Sequence, residues 1–311
     1  MKKKTIVKVL NNKFEEFAKS ITDLRVQKLV RANSIITGGC IASMLLKEKV
    51  NDFDIYFTNK ETVKAVAEYY CNIWNLTHPE SNDGFVADGA EIDDIGRMDG
   101  EFMGGVGLNL TSDRIKIIFK SKGVVKEEGA IDDDTELEEW PDGKPVVDEE
   151  SKPKYRPIYI SANAVTLSQK IQIILRFYGD PDDIHQHYDY MHCTNYWLSK
   201  TKELTLKQPA LECLLSKELV YVGSKYPIAS IIRLRKFINR GWTINAGQIL
   251  KMSWQISELD LTNIAVLEDQ LTGVDVAYFN TLIDALQTKI QKDSNFKLDY
   301  SYLVSIIDKI F

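Results

Sequence analysis

The sequence predicts an α+β fold, a mixed sheet with flanking helices followed by an all-helical C-terminal domain. Three observations predict it. Apolar segments of helix length and strand length alternate from residue 1 to about 126, and short β-branched stretches resume at 158. Beyond Tyr196 the apolar spacing is helical almost to the end, interrupted at Gly223, Pro227, Gly241 and Gly273. With 311 residues the chain suits about two domains of ~150 residues, placed here at about 1–198 and 199–311.

The elements follow in order. Phe14 to Val30 carries apolar residues near helical spacing, and Cys40 to about Lys47 forms a short second helix. Asn51 to Phe57 (NDFDIYF) alternates with period two and reads as a strand. Glu61 to Trp74 is a helix with Thr58 or Asn59 as its N-cap. Further strands are expected at Asp113 to Lys120, Ile158 to Ile160, Ala164 to Leu167, Lys170 to Phe177 and Asp189 to Cys193. A helix start falls at Asp180-Pro181-Asp182-Asp183, with proline at its first position and acids at the positive end of the dipole.

Composition narrows the function classes. The chain is 44% hydrophobic and 27% charged, as folded globular proteins are. No apolar run reaches the ~18 residues of a membrane span, and the apolar stretch after Met1-Lys2-Lys3-Lys4 is too short and polar for a secretory signal. Four cysteines with no CxxC pair indicate neither a disulfide framework nor a zinc knuckle, so a reduced, cytoplasmic protein is expected. Residues 127–150 hold twelve acids and one lysine. The overall charge of −6 therefore conceals a net +5 on the rest of the chain. The stretch 121–157 reads as a mobile acidic insertion, and the basic remainder leaves room for a polyanionic partner.

The chemistry concentrates in Ile36 to Phe57, ITGGCIASMLLKEKVNDFDIYF. Thr37-Gly38-Gly39 opens a helix, and glycines there let a phosphate approach free backbone amides at the positive helix end. Asp52 and Asp54 follow on a strand, and period two projects both carboxylates from one face. Two hard oxygen anions beside a phosphate cradle form a divalent-metal site suited to phosphoryl or nucleotidyl transfer. Either half alone is commonplace, a tight turn or a solvated strand face; their spacing makes the pair informative.

This segment resembles the head-domain signature of the DNA polymerase beta-like nucleotidyltransferase superfamily, closest to the transferases that add CCA to tRNA or build poly(A) tails. Gly38, Gly39, Leu45, Leu46, Val50, Asp52, Asp54 and Ile55 fall on that pattern without a gap. The resemblance implies that Asp52 and Asp54 bind two Mg²⁺ (or Mn²⁺) ions and that Gly38 and Gly39 hold the triphosphate of an NTP substrate. The sequence departs from the pattern at Ala42-Ser43, where the CCA-type enzymes have Arg-Asp. It departs again on KIQIILRF, where Gln172 stands in place of a third carboxylate. Asp189, just downstream, is the expected substitute. On that same strand Lys170, Gln172, Ile174 and Arg176 share a face opposite apolar Ile171, Ile173, Leu175 and Phe177, so Lys170 and Arg176 are candidate triphosphate contacts.

A second segment, Ile231 to Ile244 (IIRLRKFINRGWTI), resembles a helix of the same enzymes. Between Lys217 and Lys251 lie seven Lys or Arg and one acid. Arg233, Arg235, Lys236 and Arg240, with Tyr221, Tyr226 and Trp242 interleaved, suit a phosphate backbone with stacked bases; arginines solvating an outer face over core aromatics are the equal alternative. Glu268-Asp269-Gln270 begins like a base-selecting motif but meets Gly273 near the place of its arginine, so nucleotide choice is not implied. His185 and His187 are two apart near a helix end and diverge by ~200°, so they read as surface histidines rather than zinc ligands; His192-Cys193 could be a ligand pair only with help from elsewhere. Nothing marks Cys40 or Ser43 as an activated nucleophile. The expectation is metal-dependent transfer of a nucleoside monophosphate to an acceptor hydroxyl, an RNA 3′ end such as that of tRNA. Transfer to a protein or small molecule, and nucleotide or RNA binding without catalysis, are the alternatives.

Overall fold

The computed structural model describes residues 1–77, 91–94, 115–118, 124–126, 153–161, 163–263 and 299–310, together with 266, 267, 270 and 289. The expected acidic insertion lies almost wholly outside them, as do Glu268, Asp269 and Gly273. The chain forms two units, one of residues 1–181 with 195–205, the other of 182–194 with 206–311.

The first unit begins with α1 (Lys3–Ser20) and α2 (Leu24–Asn33). The single helix expected over 14–30 is broken at Ile21 to Asp23, because Asp23 turns its carboxylate onto the amides of Arg25 and Val26 and starts a new helix. Strand β1 (Ser34–Thr37), helix α3 (Gly39–Leu46), strand β2 (Phe53–Phe57) and helix α4 (Lys60–Thr77) follow. Asn59 caps α4, its Oδ1 accepting from the Thr62 amide at 2.9 Å. Next come β3 (Glu91–Asp94), β4 (Ile115–Ile118), β5 (Val124–Lys126), β6 (Pro157–Ser161), β7 (Ala164–Leu167) and β8 (Ile171–Tyr178).

Two further strands, β9 (Tyr196–Leu198) and β10 (Glu203–Thr205), return to this unit. The sequence hid them inside a supposedly helical stretch, because three residues are too few to display a period of two. The eight-stranded sheet runs β10-β9-β1-β2-β8-β7-β6-β5. Every pairing is antiparallel except β2 with β8, so the sheet is mixed, as expected.

Register gives this sheet two unlike faces. One level across it reads Leu204, Trp197, Ile36, Ile55, Ile173, Val165 and Ile160, all buried. Trp197 meets the Phe14 ring of α1 there at 5.1 Å, and its indole N–H donates to Asn11 Oδ1. The adjacent level, on the opposite face, reads Thr205, Tyr196, Thr37, Asp54, Gln172, Thr166 and Tyr159. All but Thr37 are half-buried. Apolar packing on one face therefore positions a polar row on the other.

The second unit contains α5 (Pro181–His185, its proline assigned to the first unit), α6 (Gln208–Ser216), α7 (Pro227–Asn239), α8 (Ala246–Ser257) and α9 (Tyr300–Ile310). It is not purely helical: β11 (Glu218–Leu219) and β12 (Thr243–Ile244) pair in parallel. The strand expected at Asp189 to Cys193 is instead one isolated bridge, Tyr190 to Tyr221, and a 3₁₀ turn over Met191–Cys193. Buried Tyr190 packs against Tyr221 and Phe237, and these ring contacts outweigh the local β-propensity.

Candidate functional site

Strand β1 ends at Thr37, and the chain turns at once into α3. The turn is possible because Gly38 adopts φ 92°, ψ −154°, a region nearly restricted to glycine. Gly39 is the first helical residue, and a Cβ placed on it meets no heavy atom within 4 Å. The start of α3 thus combines amides that have no partner within the helix, the positive dipole end and open space at Gly39, the requirements of an anion seat. Cys40 is buried, its thiol donating to the Thr37 carbonyl, in a packing role under the bend.

Thr37 pairs directly with Asp54 of β2, and Asp54 pairs on its other side with Gln172 of β8. Asp52 lies two residues earlier, just before β2 begins. Lys170 precedes β8 in a turn with φ 61°, and its carbonyl accepts from the Phe53 amide at 2.9 Å. This pairing sets Lys170 level with Asp52, as Gln172 is level with Asp54. The register therefore brings Asp54 and Gln172 level with Thr37, next to Gly38 and Gly39, with Asp52 and Lys170 just outside the strand ends there. Arg176 lies farther along β8, buried beyond the point where the β2–β8 register shifts. The Thr37 hydroxyl is committed to the Asn195 carbonyl at 2.9 Å, which fixes the end of β1.

Sequence reading missed Tyr196 and Thr166, which extend the row on either side of this cluster. Tyr196 reaches it only because β9 comes back to pair with β1 from far downstream, and no local signal announces that return.

Asp189 belongs to the second unit, where it accepts from Arg233 Nη1 at 2.6 Å with a side chain 12% exposed. Of the four cationic residues singled out on α7 and its C-cap, Arg233 is thus ion-paired. Arg235, Lys236 and Arg240 are exposed, Arg240 stacking over Phe237 at 5.8 Å. The interleaved aromatics are core: Tyr221, Tyr226 and Trp242 are all buried and present no stacking surface. Of the two histidines expected at the surface, His187 is exposed and His185 is not. His192 is enclosed by Phe237 and Trp242, and buried His185 receives Lys207 Nζ at 3.1 Å from its Nδ1. Burial, then the nearby Lys207 charge, pushes the His185 pKa down to about 4.

Among the described residues no group of three or more His, Cys, Asp or Glu is placed to hold a metal ion. The donors at the bend are two carboxylates beside an anion seat. Magnesium is commonly held that way, by one or two carboxylates and the phosphates of its substrate rather than by a protein cage. The residues fit a cation that arrives with a nucleotide.

The fold defines a mixed-sheet α/β protein whose polar row includes Asp54 and Gln172, level with Thr37 before the glycine bend that opens a helix. The chain belongs to the Gabija anti-defense 2 family, whose model matches residues 8–217. It is similar to "Gabija anti-defense 2" of Bacillus phage SPbetaL7, with 24% identity over 131 residues; the match covers 42% of this chain and about a third (32%) of that protein. Among solved structures it is similar to the Bacillus stearothermophilus CCA-adding enzyme in complex with CTP, at 10% identity, TM-score 0.37, covering 86% of this chain and 50% of that one. It is also similar to the Thermotoga maritima CCA-adding enzyme complexed with tRNA, at 12% identity, TM-score 0.37, covering 86% and 54%. Among the described residues no helix is long and apolar enough to cross a membrane.

Proposed function

We propose that this chain is a divalent-metal-dependent nucleotidyltransferase that moves a nucleoside monophosphate from an NTP to an acceptor hydroxyl and releases pyrophosphate. The observation that carries this reading is the pairing of Asp54 with Thr37, the residue immediately before the Gly38-Gly39 bend. It supports the reading by putting Asp54 level with the residue that leads into the helix start proposed to receive the triphosphate. Asp52 and Asp54 hold Mg²⁺ against the phosphates. The α3 start and Lys170 offset charge on the departing pyrophosphate, and alignment of acceptor and phosphate supplies the rest. The exposed basic residues Arg235, Lys236 and Arg240 favour an RNA 3′ end as acceptor. The family name points to action against the Gabija defence, and we read nucleotidyl transfer as the chemistry behind it.

Gln172 beside Asp54 favours one second reading, a non-catalytic nucleotide or RNA binder on the same fold. A single experiment separates them. The protein is incubated with Mg²⁺, each α-labelled NTP in turn, and total RNA including tRNA. Label on RNA that disappears with Asp52→Asn plus Asp54→Asn supports the proposal. Label on protein redirects the acceptor to a side chain. Nucleotide binding without transfer, indifferent to the double substitution, overturns catalysis.

A further inference from the structure

The second unit carries a groove of about 490 Å³, within the ~300–1,000 Å³ range of small-ligand pockets. One wall is a face of α8, where Gly247, Leu250, Lys251 and Trp254 recur at three- and four-residue spacing; Val222 and Gly223 form the other. A Cβ placed on Gly223 or Gly247 meets no heavy atom within 4 Å, which leaves room on both sides. Trp254 is 69% exposed and Leu250 64%, whereas Trp74, Trp197 and Trp242 are buried. The exposed indole is nonetheless held in place, because its N–H donates to Glu258 Oε1 at 3.3 Å one turn along the helix.

The polar side chains around the groove are committed to the fold. Lys251 Nζ donates to the Tyr221 and Val222 carbonyls at 3.1 and 2.8 Å. Gln255 Oε1 accepts from the Tyr221 hydroxyl and the Ser224 amide, and its Nε2 donates to the Ser224 carbonyl. An occupant therefore meets an aromatic face with aliphatic edges, and one cation balanced by one acid, which suits a flat uncharged ring. The surrounding charge indicates what carries that ring. Residues 219–257, which include α7 and α8, contain six Lys or Arg and no Asp or Glu, and Arg235, Lys236 and Arg240 are exposed. An apolar peptide would leave these cations unmatched. An unpaired polynucleotide supplies anions and flat neutral rings on one chain.

We infer that this groove is a stacking site for an unpaired base of single-stranded RNA, with Trp254 as the stacking ring and Leu250 and Val222 as its apolar edges. The inference rests on the RNA partner of the reading above, not on its transfer chemistry. With Lys251 and Gln255 engaged, stacking rather than base-edge hydrogen bonding holds the base, so the site tolerates any sequence.

Short fluorescein-labelled oligo(rA) and oligo(rU), separate and annealed, serve as probes of the full chain, read by anisotropy without NTP or metal. Trp254→Ala is expected to weaken each single strand about tenfold. It should leave duplex affinity and the salt slope unchanged, since no phosphate contact is lost. Trp254→Phe, which keeps a ring, should restore most of the affinity. Leu250→Glu, which puts a charge in the groove, is the second variant, with circular dichroism as the folding check. Single-strand affinity unchanged in both folded variants overturns the inference and leaves the transferase reading standing, as does an equal loss for single strand and duplex. A Trp254→Ala shift in sedimentation with RNA binding untouched assigns the groove to a second copy of the chain and also overturns it. No binding of either strand to the wild type overturns both the groove and the RNA acceptor. Stacking at Trp254 in a protein that labels no RNA upholds the groove and overturns only the transfer chemistry.

Discussion

Gly38 and Gly39 are neighbours with different physical reasons for being glycine. Gly38 occupies a backbone region that costs other residues about 1–3 kcal/mol. Gly39 has ordinary helical geometry and open space around its missing Cβ, where alanine is favoured by roughly 0.5–1 kcal/mol. Gly38→Ala should therefore lower the urea midpoint. Gly39→Ala should keep or raise it, yet weaken NTP binding by about tenfold by filling the anion seat. Equal losses of stability in both variants would contradict this division. His185 offers a second test at the same scale. Its folded pKa of about 4 lies below the ordinary 6.5, so the unfolded chain binds the extra proton between those values. Stability is then fully present above about pH 6.5 and is lost as pH falls toward 4, on the order of 2 kcal/mol after allowing for solvent screening. Thermal melts from pH 7 to 4.5 should show the decline, and His185→Gln should flatten it.

Among the elements, β8 was the most legible and β9 the least. Ile171, Ile173 and Leu175 are buried and alternate with half-buried Gln172 and Ile174, enough for the period to declare which face is core, although beyond them Arg176 is buried and Phe177, expected in the core, is half-buried. That alternation has a measurable consequence. Ile173→Ala should cost about 2–5 kcal/mol by leaving a cavity, whereas Gln172→Ala on the opposite face should cost less than about 1. Chemical denaturation of the two variants checks it, and similar values would mean that both faces are packed alike. The short β9 and β10 escaped detection because their conformation comes from pairing with β1, not from their own residues. The Asp189 to Cys193 segment erred the other way. Its β-prone aromatics are recruited by Tyr221 and Phe237 into a cluster that leaves only a bridge and a 3₁₀ turn.

For the whole molecule, charge segregation is the property most relevant to function. The chain is net −6, yet 127–150 alone carry −11, and Arg235, Lys236 and Arg240 are exposed on or beside α7. If RNA is the acceptor, replacing these three with glutamine should weaken RNA binding and reduce the log–log salt slope by about 2, at ~0.7 per single-strand phosphate contact. Filter binding across a KCl series checks this, and an unchanged slope would place the RNA track elsewhere. The buried state of Tyr221, Tyr226 and Trp242 already removes those three rings from base stacking.

The linear chain was enough to reveal the bend, the helix and the acid-bearing strand of Ile36 to Phe57, though not β1 before them, because each of these parts is encoded by its own neighbours: glycine where φ must be positive, apolar residues at helical spacing, acids at period two. It also marked which face of β8 is core. Cross-strand register was not legible, since pairing partners are chosen by long-range burial that no local pattern records. Only the folded sheet set Asp54 between Thr37 and Gln172 and brought Tyr196 into the same row. Only the second unit's packing drew Asp189 to Arg233 and enclosed His185, His192 and the aromatics Tyr221, Tyr226 and Trp242.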